Sequence, residues 1–582
     1  MLRNKLALSL VALSCCMVSC QEDNLDIQNQ IDNLSGKVDD LNSNLDSLDQ
    51  ELAALKESHQ NALLEKLQEM DETMAGIIAE NTKLSDQYTA ISDSLNSIKE
   101  EVAESDNSVY YGDLLTADNF SKYTTQGASI VTGNILVTTE DQLKQLSNLR
   151  VAGGNLHLSE LMDVTLPALE TVGGDLVLSS VKGSVAFDNL FTVAGSFFDN
   201  NNAEQTSLVA NKLAFVSGNV EIQTNILLET VSFESLAFVR SLILNSFWAE
   251  DPEYNNYGAL SSVVLSDVDV ENDLTIAYGG TGTVNIGNVG GHLKLEKTKF
   301  TDINISATSL GGLEVINNGE LSNLMVDNLK AVNGNIKISN NVKSSGVGNF
   351  TVSNTEGFVS FPSFSALTEI KGNINVEGNS SLTSIEAFNA VTSIEADEIL
   401  FNNNGSLSVL DIFNNVTEAG VQVTQFTRTN TKLYIVEKTN WFNAFTNLAE
   451  GGDITIEIKD PAADDGGFGL FSTSVIKFEG FSAMTRATRL RLTVGDVTEF
   501  SAFNALETLS PTWDDLSYLT LAMPKSTDVS LCSISTILSK IKNNELGNSN
   551  YIVNIQEINE WGWYQNVEDQ DAALDQLLSS CE

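Results

Sequence analysis

The stretch Leu169-Glu170-Thr171-Val172-Gly173-Gly174-Asp175-Leu176-Val177-Leu178 decides how this chain folds. Its frame, Leu-x-x-Val-x-Gly-x-Leu-x-Leu, returns as Leu213, Val216, Gly218, Val220 and Ile222, then as Leu329, Val332, Gly334, Ile336 and Ile338, and again as Leu367, Ile370, Gly372, Ile374 and Val376. Degenerate copies lie between them, with Leu190, Val193, Gly195 and Phe197 in one and Leu236, Val239, Leu242 and Leu244 in another. The period-2 tail predicts a strand with alternate apolar side chains turned inward, and the glycine is expected to allow a tight backbone bend before it. Successive strand positions, Leu156, Leu176, Phe197, Val220 and Leu242, fall 20 to 23 residues apart. One unit cannot bury its apolar face alone, so neighbours must stack.

A period of this length lies within the leucine-rich-repeat range. No helical stripe of ten or more residues separates the strands, as in Gly173 to Leu190, which predicts short strands and turns on the far side. The repeat resembles the receptor L domain, and the nearest match runs from Leu382-Thr383-Ser384-Ile385 to Asn402-Asn403-Asn404. The resemblance implies a mainly-β chain whose residues 106–520 form a right-handed leucine-rich-repeat-like β-solenoid, with recognisable coils from Gly133 to Leu519. Coil lengths become irregular near Asn245 to Asn272 and Thr424 to Asp453. The runs Asn200 to Asn202 and Asn402 to Asn404 fall at coil corners, where stacked amides can satisfy turn groups.

Before the solenoid, apolar residues recur in alternating steps of four and three: Ile31, Leu34, Val38, Leu41, Leu45, Leu48, Leu52 and Leu55. After a one-residue slip near His59 the seam resumes at Leu63 and continues through Leu67, Met70, Met74, Ile77, Asn81, Leu84, Tyr88, Ile91, Leu95, Ile98 and Val102. This predicts a long α-helical coiled-coil stalk over 27–105, reaching about 110 Å. A lone helix would leave the seam wet, so the stalk implies a homo-oligomer, with dimer and trimer both open. Asp46-Ser47-Leu48 and Asp93-Ser94-Leu95 match a short O-glycosylation pattern of Bacteroidota, but each leucine is already explained by the seam.

The first residues read as a secretion signal, with Arg3 and Lys5 before the apolar Leu6 to Leu13. Met17-Val18-Ser19-Cys20 resembles a bacterial lipobox, which implies a signal peptide over 1–19, lipidation of Cys20 and a linker over 20–26. The following Gln21-Glu22-Asp23 resembles the surface-export signal of Bacteroidota lipoproteins. The resemblance implies an outer-membrane lipoprotein on the surface of a Gram-negative cell, held to the membrane through its lipid anchor.

Acids outnumber bases 78 to 31, for a formal net charge of −47, so nucleic acid is excluded as a partner by repulsion. Beyond residue 520 the repeat gives way to helix-like spacing over Leu531 to Leu546 and Asp569 to Leu578, around Trp561, Trp563 and Tyr564. A helical cap over 521–582 is expected to close the last coil, with Cys532 and Cys581 as a candidate disulfide.

The sequence is poor in chemistry. Only His59, His157 and His292 are present, and the latter two sit beside strand leucines. Asp267, Asp269 and Asp273, or Asp460, Asp464 and Asp465, could offer oxygen ligands to calcium, but neither set has EF-hand spacing. No metal, cofactor or catalytic residue is expected. The insertion Phe247 to Tyr257 interrupts the coils, and Trp248, Tyr254 and Tyr257 are the ligand-binding candidates because flat amphipathic rings stack on sugars and anchor protein contacts. Trp441, Phe442 and Phe445 form a second aromatic cluster, read as core packing. The expectation is a non-enzymatic surface adhesin or binding module for host protein or glycan. A surface polysaccharide lyase, its glycan-binding accessory, and a structural spacer are the alternatives.

Overall fold

The chain divides into two compact units, residues 1–105 and 106–582. The computed structural model describes residues 108–582 except 247–258, 266–267, 346–351, 425–426, 460–476, 494–496, 510–516, 525–529, 544, 546–551, 559–563 and 582. In the first unit it describes Ser35, Lys37, Thr89 and Ser92, all helical. Cys20, the heptad seam, the insertion with Trp248, Tyr254 and Tyr257, and Trp561 and Trp563 lie outside the described residues.

In the second unit the repeated frame becomes a parallel ladder. Ile135 pairs with Leu156, then Leu176, Phe197, Val220, Leu242, Leu274, Leu293, Leu313, Ile336, Ile374, Ile399, Leu433, Ile454, Leu490, Leu519 and Val553, each in register with the next. From Ile135 to Leu519 this column is buried. The result is a mainly-β unit dominated by one large parallel sheet, a solenoid-like stack. On the far side, Met162–Thr165, Lys182–Ala186, Glu204–Val209, Thr230–Phe233 and Ser262–Leu265 form a second parallel sheet. Further along, Ser384–Ala387, Val409–Ile412, Trp441–Ala444, Lys477–Phe478 and Glu499–Phe500 form another.

The motif glycines Gly174, Gly195, Gly334 and Gly372 lie at the bend before the strand, as expected, and they do a second job there. Gly174, Gly195, Gly218, Gly334 and Gly372 do not adopt positive φ. Instead, rungs approach so closely there that a β-carbon at Gly174 or at Gly218 would lie 2.9 Å from backbone of the preceding rung. Side-chain oxygens bind the backbone beside this glycine column. Asp113 Oδ1 accepts from Asn134 N at 2.6 Å, Asn134 Oδ1 from Asn155 N at 2.9 Å, Asn155 Oδ1 from Asp175 N at 2.8 Å, and Asp175 Oδ1 from Ser196 N at 2.7 Å.

A second polar ladder runs through the interior at the coil corners. Asn318, Asn341, Asn379 and Asn404 are buried. Asn318 N donates to Asn341 Oδ1 at 3.0 Å, Asn341 N to Asn379 Oδ1 at 3.1 Å, and Asn379 N to Asn404 Oδ1 at 3.2 Å. Their Nδ2 groups turn back to the carbonyls of Leu295, Val315, Ile338 and Val376. An asparagine is suited to this because one side chain supplies both an acceptor and a donor. The ladder ends on Glu437, whose two carboxylate oxygens accept from Asn404 N and Nδ2 at 2.9 and 2.6 Å. Residue 403, preceding the last rung, sits in the left-handed region, as do Asn317 and Asn340.

The third column is aromatic. Phe364, Phe388, Phe413, Phe445, Phe481 and Phe503 all hold positive φ and are buried. Their rings stack at 4.5, 4.8, 5.0, 5.6 and 4.5 Å, which matches the spacing of about 4.8 Å between strands. A left-handed conformation costs a bulky residue about 1 to 3 kcal/mol, which the buried ring and its two stacked neighbours offset.

Both ends of the stack are closed. The helix Ala117–Gln126 carries a Thr116 capping box and buries Phe120 and Tyr123 at the first rungs. The parallel ladder extends past residue 520, through Ser517–Pro524 to Ile552–Ile558, so the terminal segment is strand and helix together rather than helix alone. The last edge is covered by antiparallel Tyr564–Asn566 and by Gln570, whose amide binds both Ile555 N and Ile555 O, at 2.6 and 2.9 Å. The helices Ser535–Lys542 and Gln570–Ser579 flank this edge, and Cys532 and Cys581 are joined in a disulfide.

Among the described residues, two buried carboxylates interrupt an otherwise neutral interior. Asp199 occupies an inward strand position where its in-register neighbours are Leu178 and Ile222. Burial raises its pKa to about 7 against hydrogen bonds from Asn202, Gln205 and Asn225 that favour the anion. Burial likewise raises Glu437 to about 7 against its Asn404 bonds. A carboxyl with a folded pKa above its unfolded value stabilises the fold when protonated, and that contribution is lost as pH rises from about 4.5 to about 7. Glu437→Gln, whose single acceptor can take both Asn404 donors as Asn379 does for Asn341, is expected to raise stability at pH 8 by about 3 kcal/mol. Urea unfolding at pH 8 and pH 5 checks this, since the gain should shrink towards the lower pH.

Candidate functional site

Strand Trp441–Ala444 alternates strictly, and the alternation splits the aromatic cluster read from sequence. Phe442 is buried with its ring 4.6 Å from that of Phe478, and Phe445 belongs to the stacked phenylalanine column. Trp441 points the other way and is 37% exposed. It is therefore a surface ring, not part of the core.

The tryptophan is held in place. Its Nε1 donates to Glu479 Oε2 at 2.8 Å, while Lys477 Nζ donates to Glu479 Oε1 at 2.7 Å. The Lys477 bond holds the Glu479 carboxyl below the usual carboxylate range, opposed by partial burial and assisted by Trp441. Trp441 and Lys477 are opposite one another in the sheet, as are Asp411 and Asn443. Asp411 accepts amide hydrogens from Asn443 at 2.7 Å, Asn414 at 2.6 Å and Asn389 at 3.1 Å. The arrangement is a flat ring of fixed orientation, its one N–H already engaged, beside carboxylates and amides. Such a surface can stack on the C–H face of a sugar and accept hydrogen bonds from its hydroxyls.

The other candidates do not converge. His157 Nε2 meets Ser179 Oγ at 2.8 Å, and His292 Nε2 lies 3.4 Å from Glu314, six rungs further along and so about 29 Å away. Asp269 accepts from Asn288 and Asp273 from His292 N, so each serves the ladder, whereas Asp267 and the set Asp460, Asp464 and Asp465 lie outside the described residues. Among the described residues no group of His, Cys, Asp or Glu could hold a metal ion, and no helix is long and apolar enough to cross a membrane. What the repeat frame overlooks is the recurring Phe-x-x-Leu corner, as in Phe364 to Leu367 and Phe503 to Leu506, and the charged residue at an inward position, Asp199.

No known family profile matches the chain, and no solved structure does either. Among curated proteins it is similar to Protein ecm33 of Aspergillus fumigatus. The two are 24% identical over 248 residues, which is 41% of this chain and 53% of that relative. The matched region thus spans about half of the relative's length.

The neighbouring residues Trp441 and Phe442 should behave oppositely on truncation. Phe442→Ala is expected to cost about 3 to 5 kcal/mol by leaving a cavity, and Trp441→Ala far less. Thermal unfolding of the two variants, followed by circular dichroism, checks the contrast.

Proposed function

We propose that this protein is a surface-displayed, non-enzymatic binding protein whose solenoid recognises glycan. The exposed, immobilised Trp441 beside Glu479, Asp411 and Asn443 is the observation that carries the reading. A ring fixed before binding loses little conformational freedom when a ligand arrives, so its contact energy goes into affinity. The distant similarity to Protein ecm33 supports a surface-associated, non-catalytic role.

The leader fits the same reading. A lipobox at Cys20 would tether the chain to the outer membrane of a Gram-negative, Bacteroidota-type cell, and a coiled-coil stalk over 27–105 would lift the solenoid clear of it as a homo-oligomer. The receptor L resemblance adds the expectation of a right-handed solenoid with a broad exterior for recognition. A host protein ligand remains the second binding option through Trp248, Tyr254 and Tyr257. The polysaccharide lyase alternative is disfavoured by the separation of His157 from His292, the two histidines among the described residues.

Incubation of the purified full-length chain with glycan and extracellular-matrix arrays tests the proposal. Saturable retention of a glycan without turnover, weakened about tenfold or more by Trp441→Ala, is the expected result. Product release would indicate the enzyme instead. Retention of matrix protein alone, unaffected by Trp441→Ala, would move the site elsewhere.

A further inference from the structure

The charge balance of the chain reverses over three adjacent rungs. Strands Lys432–Thr439, Glu450–Lys459 and Arg486–Thr493 carry six bases and four acids, in a chain with 31 bases and 78 acids. Three of its seven arginines, Arg486, Arg489 and Arg491, stand on a single strand. One of the four acids, Glu437, is buried in the asparagine ladder and faces away from the sheet's outer surface. Another, Asp453, is bonded by Arg489 at 2.7 Å.

The outer face of these rungs holds an ordered strip. Tyr434 pairs with Thr455, Thr455 with Arg491, and Arg491 with Thr520, so the four side chains lie in one column across consecutive rungs. Tyr434 is 40% exposed, and Arg491 is exposed with threonines rather than carboxylates on both sides. On other rungs Arg150 is matched to Glu170 and Arg240 to Glu271. From Tyr434 to Arg491 is two rungs, about 10 Å.

We propose that this strip is a second binding site, for an acidic polysaccharide. The inference rests on the glycan-binding reading and names a ligand class that the Trp441 surface, lined by carboxylates, would repel. Tyr434 would stack on one pyranose ring, and Arg491 would bind the carboxylate or sulfate of a neighbouring ring through its planar guanidinium. Each rung advances by about 4.8 Å, close to the length of one sugar unit, so a chain laid across the rungs would meet the column in step. The threonine hydroxyls between can exchange hydrogen bonds with sugar hydroxyls. The overall negative charge does not forbid this, because charges beyond about 8 Å are largely screened at physiological ionic strength.

The test is titration of the full-length chain with an oligogalacturonate, a heparin-derived oligosaccharide, neutral dextran and polyglutamate. Carboxylated and sulfated sugars share the proposed chemistry, and the first two probes tell them apart. The expected result is saturable binding of at least one acidic oligosaccharide, weakened by added salt. Arg491→Ala and Tyr434→Ala should each reduce it about tenfold, with melting curves unchanged. Equal retention of polyglutamate would show attraction by charge alone and overturn the sugar assignment. Unchanged affinity in Arg491→Ala would overturn the site. Binding of neutral glycans through Trp441 with no acidic oligosaccharide bound would reject this inference and leave the glycan-binding proposal standing, while no glycan bound at all would reject both.

Discussion

Parallel, in-register pairing between successive rungs is the constraint from which the rest of the structure follows. When each strand pairs with its own equivalent one coil later, every residue meets the same position of its neighbour at about 4.8 Å. Whatever stands at a position is therefore stacked on its like. Aliphatic residues become a continuous core, glycines a line of close backbone approach, asparagines an amide ladder, and phenylalanines a pile of rings. A side chain that suits one rung suits them all only if it is satisfied by its own kind, and asparagine and phenylalanine meet that condition in different ways.

The same constraint explains why exceptions are informative. Asp199 stands where an aliphatic belongs, and Glu437 where an asparagine would continue the ladder. Asp199 draws the side-chain amides of Asn202, Gln205 and Asn225 around it and Glu437 the two amide groups of Asn404, and each remains costly to ionise. A stack must also have ends, and unpaired edges invite association with other strands. Here a capped helix closes one end, while an antiparallel strand, the Gln570 amide and a disulfide-linked helix pair close the other.

On the outside, alternation along each strand delivers side chains to a regularly spaced grid. Such a repeating surface suits recognition of an extended partner. Trp441 and the Tyr434 to Arg491 column sit on different sheets of the stack and offer opposite electrostatics. They are thus complementary surfaces and not two halves of one site.

The sequence alone determined the stacking unit. Leu-x-x-Val-x-Gly-x-Leu-x-Leu at a near-constant period requires burial against a neighbour, and the Asn runs at coil corners already pointed to amide stacking, because both depend on local periodicity. It did not determine which way single aromatics face. Trp441, Phe442 and Phe445 are close in sequence, yet strand alternation and a left-handed corner send one to solvent and two to the interior. Nor could it show that the glycines serve inter-rung contact, or that Tyr434 and Arg491, 57 residues apart in sequence, share one column. Those facts depend on register between rungs of unequal length, and register is a property of the assembled stack rather than of any one coil.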